Sequence, residues 1–104
     1  MHMCRLAAAA VLISTAAATA QNISREFPDG LVSDKKTAIA IAEAVLFPIY
    51  GEKNIRQQRP YVVKHARGKW IIEGAPLPPG FAGGVFHIEI GQRDARILKL
   101  WHEA

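Results

Sequence analysis

The sequence predicts an α+β domain: an N-terminal amphipathic helix packed on a curved antiparallel sheet of about four strands. Three observations predict it. Apolar residues recur at helical spacing from Ala38 to Ile49, they alternate with a period of two from Tyr61 onward, and a Gly/Pro-rich break separates the strands.

The first twenty residues stand apart from that pattern. A single cation, Arg5, precedes an uncharged apolar run from Leu6 to Ala18, which closes on Ala18-Thr19-Ala20. A short apolar run ending in small-x-small is what a signal peptidase requires, so residues 1–20 are expected to direct export and to be cleaved before Gln21, the alternative being an uncleaved N-terminal anchor. The run is shorter than the roughly 20 residues a membrane-spanning helix needs, so no stable membrane insertion is expected after cleavage. Residues 21–33 read as a flexible lead-in and 34–104 as the folded domain.

The lone cysteine, Cys4, lies in the export segment. The remaining chain therefore has no disulfide, no thiol nucleophile and no zinc-thiolate site, and its stability must come from one apolar core. The formal charge of +4 falls to +3 when Arg5 leaves. Eight of the twelve remaining cations lie between Lys35 and Lys69, against Asp34, Glu43 and Glu52. That bias reads first as a solvated face, and as a surface that would favour an acidic partner. The basic residues do not interleave with stacking aromatics, so nucleic acid is not expected as a partner.

Each element has a local cause. Ser33 is a suitable N-cap and Asp34 places negative charge in the first turn. Ala38, Ile41, Ala42, Val45, Leu46 and Ile49 then form the apolar stripe, with Lys35, Lys36 and Glu43 opposite. Pro48 has no amide hydrogen for the carbonyl of Ala44, so the helix should end or kink there, with Gly51 as the stop. After a polar connection, Tyr61–Ala66 and Lys69–Glu73 form a hairpin on the Arg67-Gly68 turn. Residues 74–84 hold four glycines and three prolines and form a loop. Val85–Ile90 is the third strand, with Phe86, Ile88 and Ile90 on one face. Arg96–His102 is the fourth, with Leu98 and Leu100 expected on the core face.

This layout suits several small folds, including cystatin-like inhibitors and periplasmic domains of the PepSY type. Particular residues narrow the choice. Ala42-Glu43-Ala44 is followed by Pro48-Ile49-Tyr50-Gly51, Pro60-Tyr61, Trp70, Leu77-Pro78, Gly80, Gly83-Gly84-Val85-Phe86, Glu89-Ile90 and Ile97-Leu98. In that order they resemble the NTF2-fold immunity proteins, which protect bacteria from their own polymorphic toxins. The resemblance runs from about Asp34 to His102 and implies an NTF2-like sheet and a cognate toxin as partner; no cofactor is expected. Combined with export, it implies a toxin that acts in the periplasm. In such proteins the last hairpin often turns on Asp-Gly, where this chain has Asp94-Ala95. Alanine accepts positive φ poorly, so the turn differs in type or Gly91 supplies the flexible position.

The ionisable residues carry no catalytic constellation. His65, His87, Glu73, Glu89, Asp94, His102 and Glu103 are available, but the histidines share no zinc-type spacing. His87 and Glu89 are strand neighbours at i, i+2, a spacing more typical of a solvated face than of a general-base pair. No catalytic residue is assigned. Trp70 reads as packed under the helix, Tyr50 and Tyr61 as packing at the helix-to-sheet junction, and Gly83 and Gly84 as a close approach or bulge before the third strand. Trp101 lies opposite Leu98 and Leu100 and reads as an exposed anchor. The expected partner-binding residues are His87, Glu89, Lys99 and Trp101, on a sheet face read as concave that also carries Val85. The long Gly/Pro loop is the other candidate contact. The rival readings are a periplasmic NTF2-like domain that binds a small ligand or catalyses, and a structural envelope protein. A pocket holding a carboxylate of strongly raised pKa would favour the first.

Overall fold

The computed structural model describes residues 22–80 and 83–104; the expected export segment lies outside them. The elements run α1 (Lys35–Tyr50), α2 (Glu52–Arg56), β1 (Val62–Ala66), β2 (Lys69–Glu73), β3 (Phe86–Gly91) and β4 (Ile97–His102). The strands form one antiparallel sheet in the order β1-β2-β3-β4, and α1 packs across β2 and β3. This is the α+β arrangement expected from the change in apolar period.

Helix α1 is capped by Asp34 instead of Ser33. Asp34 is extended (φ −141°, ψ 161°) and its Oδ1 accepts a 2.7 Å hydrogen bond from the Thr37 amide, which holds its carboxyl below the usual range. Pro48 does not end the helix. The chain continues to Tyr50, because the one carbonyl that proline leaves unbonded belongs to the exposed Ala44. Gly51 is the stop: at φ 91° its amide donates to the Phe47 carbonyl at 2.8 Å.

The buried line of α1 is Ala38, Ala42 and Leu46, stepping by four, so it drifts toward Tyr50. Ile41 and Val45 pack at its margin, and Ile49 falls off the line and is exposed. Facing the helix are Trp70 and Ile72 of β2 and Phe86, Ile88 and Ile90 of β3, with Ile55 closing the end of the core. The large fully buried side chains here each contribute about 1.5–3 kcal/mol of apolar burial.

Two departures from expectation come from tertiary contacts. The end of the lead-in is docked, because the Leu31 and Val32 amides donate to the carbonyls of Arg93 and Gln92 at 3.0 and 2.9 Å. Val32 is fully buried, and its carbonyl accepts 2.8 Å from Trp70 Nε1. In β4, a register shift opposite Glu89/Ile90 pairs Ile90 with Ile97, leaving Leu98 48% exposed while Leu100 pairs with Ile88. Leu98 therefore does not join the core.

Candidate binding face

Strand alternation places Val62, Lys64, Lys69, Ile71, Glu73, His87, Glu89, Lys99 and Trp101 on the sheet face away from α1. The register arranges them in rows across four strands: Val62-Glu73-His87-Trp101 and Lys64-Ile71-Glu89-Lys99. The four expected contact residues thus share one face, but at different depths.

His87 is the mostly covered member, its side chain 14% exposed. Its Nδ1 lies 3.5 Å from Glu73 Oε2 and its Nε2 2.8 Å from Glu103 Oε2. The ring stacks on Trp101 with centroids 3.8 Å apart. Glu89 pairs with Lys69 at 2.7 Å. Lys99 stands free of Glu89 and places Nζ 5.8 Å from the centre of the Trp101 ring. Trp101 is 42% exposed. Lys99 and Trp101 are therefore the groups a partner would touch, and His87 and Glu89 the layer that supports them.

The Gly/Pro loop borders the same face. A groove of about 480 Å³ runs between its described residues, Pro76 to Gly80, and Val62, Glu73, Val85 and Glu103. Gly84 makes this possible, since a Cβ there would collide with the carbonyl of Glu103. Gly83 has φ 84°, a conformation that favours glycine. The Glu103 amide in turn donates to Val85 O at 3.1 Å.

A second cluster lies between α1 and the start of β1, where the sequence reading placed Tyr50 and Tyr61 as packing residues and set Glu43 opposite the apolar stripe. Glu43 Oε2 accepts from Tyr61 Oη at 2.6 Å and from Arg59 Nε at 2.9 Å, with Arg59 Nη2 on the same oxygen. Tyr61 also packs edge-on against Phe86, centroids 5.3 Å apart, while Tyr50 reaches the other flank, its Oη 3.0 Å from His102 Nδ1. Burial first, then the bond to Glu43, pushes the Tyr61 hydroxyl up to about 12. Burial works against ionising Glu43, but the Tyr61 and Arg59 bonds outweigh it and hold the carboxyl below its usual range. An ionised, acceptor-only carboxylate braces this corner and is the reverse of the raised carboxyl that acid–base catalysis needs. Glu43 lies eight positions after Lys35 on the same helix flank, and Arg59-Pro60-Tyr61 brings its partners; no local periodicity reports that meeting.

Among the described residues no group of three or more His, Cys, Asp or Glu could hold a metal ion, and no helix is long and apolar enough to cross a membrane.

The family model described as NTF2 fold immunity protein matches residues 37–104. The chain belongs to this family. The match covers α1 from Thr37 onward, the whole sheet and both clusters, and it supports an immunity function in general. Two curated relatives from Escherichia coli (strain K12) are similar to this chain. The uncharacterized protein YhhH is 38% identical over 72 residues, 69% of this chain and 57% of the relative. The uncharacterized protein YbbC is 37% identical over 71 residues, 68% of this chain and 58% of the relative. The aligned part is thus less than two thirds of either relative. No solved structure matches. In this NTF2 fold immunity protein, the order of family-like residues in the sequence corresponds to a continuous structural unit.

Proposed function

We propose that this chain is an exported immunity protein that binds a cognate bacterial toxin and neutralises it by occlusion, with Lys99 and Trp101 at the contact. Family membership supports the immunity part. The observation that carries the contact is a half-exposed tryptophan beside a lysine that enters no ion pair among the described residues, on a four-stranded face. Tryptophan is among the residues enriched at the energetic hot spots of protein interfaces. His87, gripped by Glu73 and Glu103 and lying under Trp101, holds the indole in place and lowers the entropy lost on binding.

Export to the periplasm, with cleavage after Ala20, is the location this reading requires, and it rests on the sequence of residues 1–20. The toxin would then act there, on peptidoglycan or on the membrane. A catalytic or small-ligand role has less support, because Glu43, a covered carboxylate, has a lowered pKa.

The test is to express the full chain with a C-terminal tag in its own host, recover it from the periplasm and identify what accompanies it by mass spectrometry. A stoichiometric complex with the C-terminal domain of a large secreted protein, and a mature chain beginning at Gln21, is the expected result. Recovery without a partner while the neighbouring genes are expressed would overturn the immunity reading. Recovery of the uncleaved chain from the cytoplasm would overturn the export.

A further inference from the structure

The far edge of the sheet from Trp101 is built differently. Gly74 N donates to Phe86 O at 3.1 Å, so by alternation Trp70, Ile72 and Gly74 face β3 while Lys69, Ile71 and Glu73 face β1. Their partners Ala66, Lys64 and Val62 use their ladder groups on β2. The backbone N–H and C=O of Val63 and His65 therefore point out of the sheet, and among the described residues β1 has no second neighbour.

This free edge is basic. Lys64 stands on it with its side chain 63% exposed, and Arg67 lies in the turn that ends it. At its other end Lys35, Ile39, Arg59, Pro60 and Tyr61 line a groove of about 540 Å³. The nearby carboxylates are engaged: Glu43 holds Arg59 and Tyr61, and Glu73 lies within reach of Lys64 and His87. Lys35 and Arg67 enter no ion pair among the described residues, so the edge keeps a positive excess.

We propose that the β1 edge docks an extended, acidic segment of a partner protein, which adds to the sheet as a fifth strand. The open ladder groups supply main-chain pairing. Strand alternation sets the side-chain pattern: carboxylates on the face of Lys64, apolar groups on the face of Val63 and Ile39. Nucleic acid fits less well, because the edge presents alternating donors and acceptors and its aromatic rings are engaged, His65 stacked on Trp70 and Tyr61 bonded to Glu43. Lys64 lies on the same sheet face as Trp101, but β1 and β4 are opposite edges of the sheet, so either contact can fail without the other.

The probe is a synthetic peptide of alternating Glu and Val, titrated into the 15N-labelled full chain and followed by amide shifts. The expected result is saturable shifts at Val63, His65 and the Lys35 groove, with affinity falling about tenfold on going from low to high salt. Lys35→Glu with Arg67→Glu should weaken binding about tenfold or more. Val63→Pro should abolish it while leaving β2–β4 resonances in place, because that amide bonds nothing in the sheet. Should Val63→Pro unfold the chain, the charge-reversal pair still decides. Equal binding of an alternating Lys and Val peptide, shifts centred on β4, or tighter binding of a single-stranded oligonucleotide would each overturn the proposal. So would the absence of shifts, which would leave the cations as guards against edge-to-edge pairing.

Discussion

The imidazole of His87 lies flat on the indole of Trp101, ring centroids 3.8 Å apart and planes 3° apart. Glu73 and Glu103 grip the same imidazole at its two nitrogens. The outermost aromatic of the free face is thereby fixed through two strands and the chain end, although it is nearly half exposed.

Trp101→Ala and Lys99→Glu should each weaken toxin binding while leaving the domain folded. Truncating a central anchor costs about 2 kcal/mol or more, roughly a thirtyfold loss of affinity. Loss of the stacked pair costs the free domain only about 0.5–1.5 kcal/mol. Isothermal titration against the cognate toxin, beside thermal melts of both variants, separates the two effects. Wild-type affinity in both variants would move the contact elsewhere on the protein.

The Glu43–Tyr61 corner makes stability pH-dependent at both ends. Folding lowers the Glu43 pKa, so the unfolded chain binds that proton more tightly. Its contribution is fully present above the ordinary 4.5 and is lost as pH falls through the lower folded value. Folding raises Tyr61 from 10.0 to about 12, so its contribution is intact below pH 10 and is lost as pH rises through 12. Urea midpoints measured across both windows should slope for the wild type. Glu43→Gln should flatten the acid slope, and Tyr61→Phe should remove the late tyrosinate absorbance. A tyrosinate transition completed by pH 11 in the wild type would rule this corner out as the cause.

How far the sequence foretold this fold depended on whether the cause was local. The helix, the hairpin and the Gly/Pro break follow from spacing and turn residues, so α1, β1, β2 and β3 lie within one or two residues of expectation. The grouping of His87, Glu89, Lys99 and Trp101 was legible too, because antiparallel alternation fixes a shared face once the strands are placed. Depth on that face was not legible. Glu89 pairs with Lys69 on the neighbouring strand β2 and not with Lys99, which lies opposite it on β4. The extra residue at Leu98, the docking of Val32 under Trp70 and the meeting of Glu43 with Arg59 all depend on contacts distant in sequence.

The β1–β2 and β3–β4 hairpin turns each hold a residue at positive φ that is not glycine, and each is a site for stabilisation. Arg67 (φ 56°) and Gly68 (φ 73°) form the two-residue turn of the first hairpin, with the positive φ pair of a type I′ turn, which favours Asn-Gly. Ala95 (φ 62°) occupies the position where Asp-Gly is usual; Gly91 does not supply the freedom, being the last, buried residue of β3. Left-handed backbone costs an ordinary residue about 1–2 kcal/mol, partly offset by the chain entropy of glycine. Arg67→Asn and Ala95→Gly should each stabilise by about 0.5–1 kcal/mol, read as a higher denaturant midpoint at unchanged slope. Lower midpoints in both would mean that side-chain contacts outweigh the turn.

Gln58 is the one buried polar side chain among the described residues, and Gly74 is the space that admits it. Gln58 Oε1 accepts the Phe86 amide at 3.0 Å, and the Gln58 carbonyl accepts the Ala75 amide at 2.8 Å. The connection after α2 is thus stitched to β3 and to the end of β2. A Cβ at Gly74 would collide with Gln58 Oε1, and the amide cannot retreat without orphaning the Phe86 N–H. Gly74→Ala should therefore destabilise by about 2–3 kcal/mol, as overpacking in a closed core does. Gln58→Ala leaves the same N–H unpaired and should cost about 1–3 kcal/mol for the bond, with a further cost for the cavity. The double variant relieves the clash, so its loss should fall short of the sum of the two singles by about 1 kcal/mol or more, the coupling expected of touching residues. Additive losses would show that Gly74 is required for its backbone alone and that Gln58 is free to move.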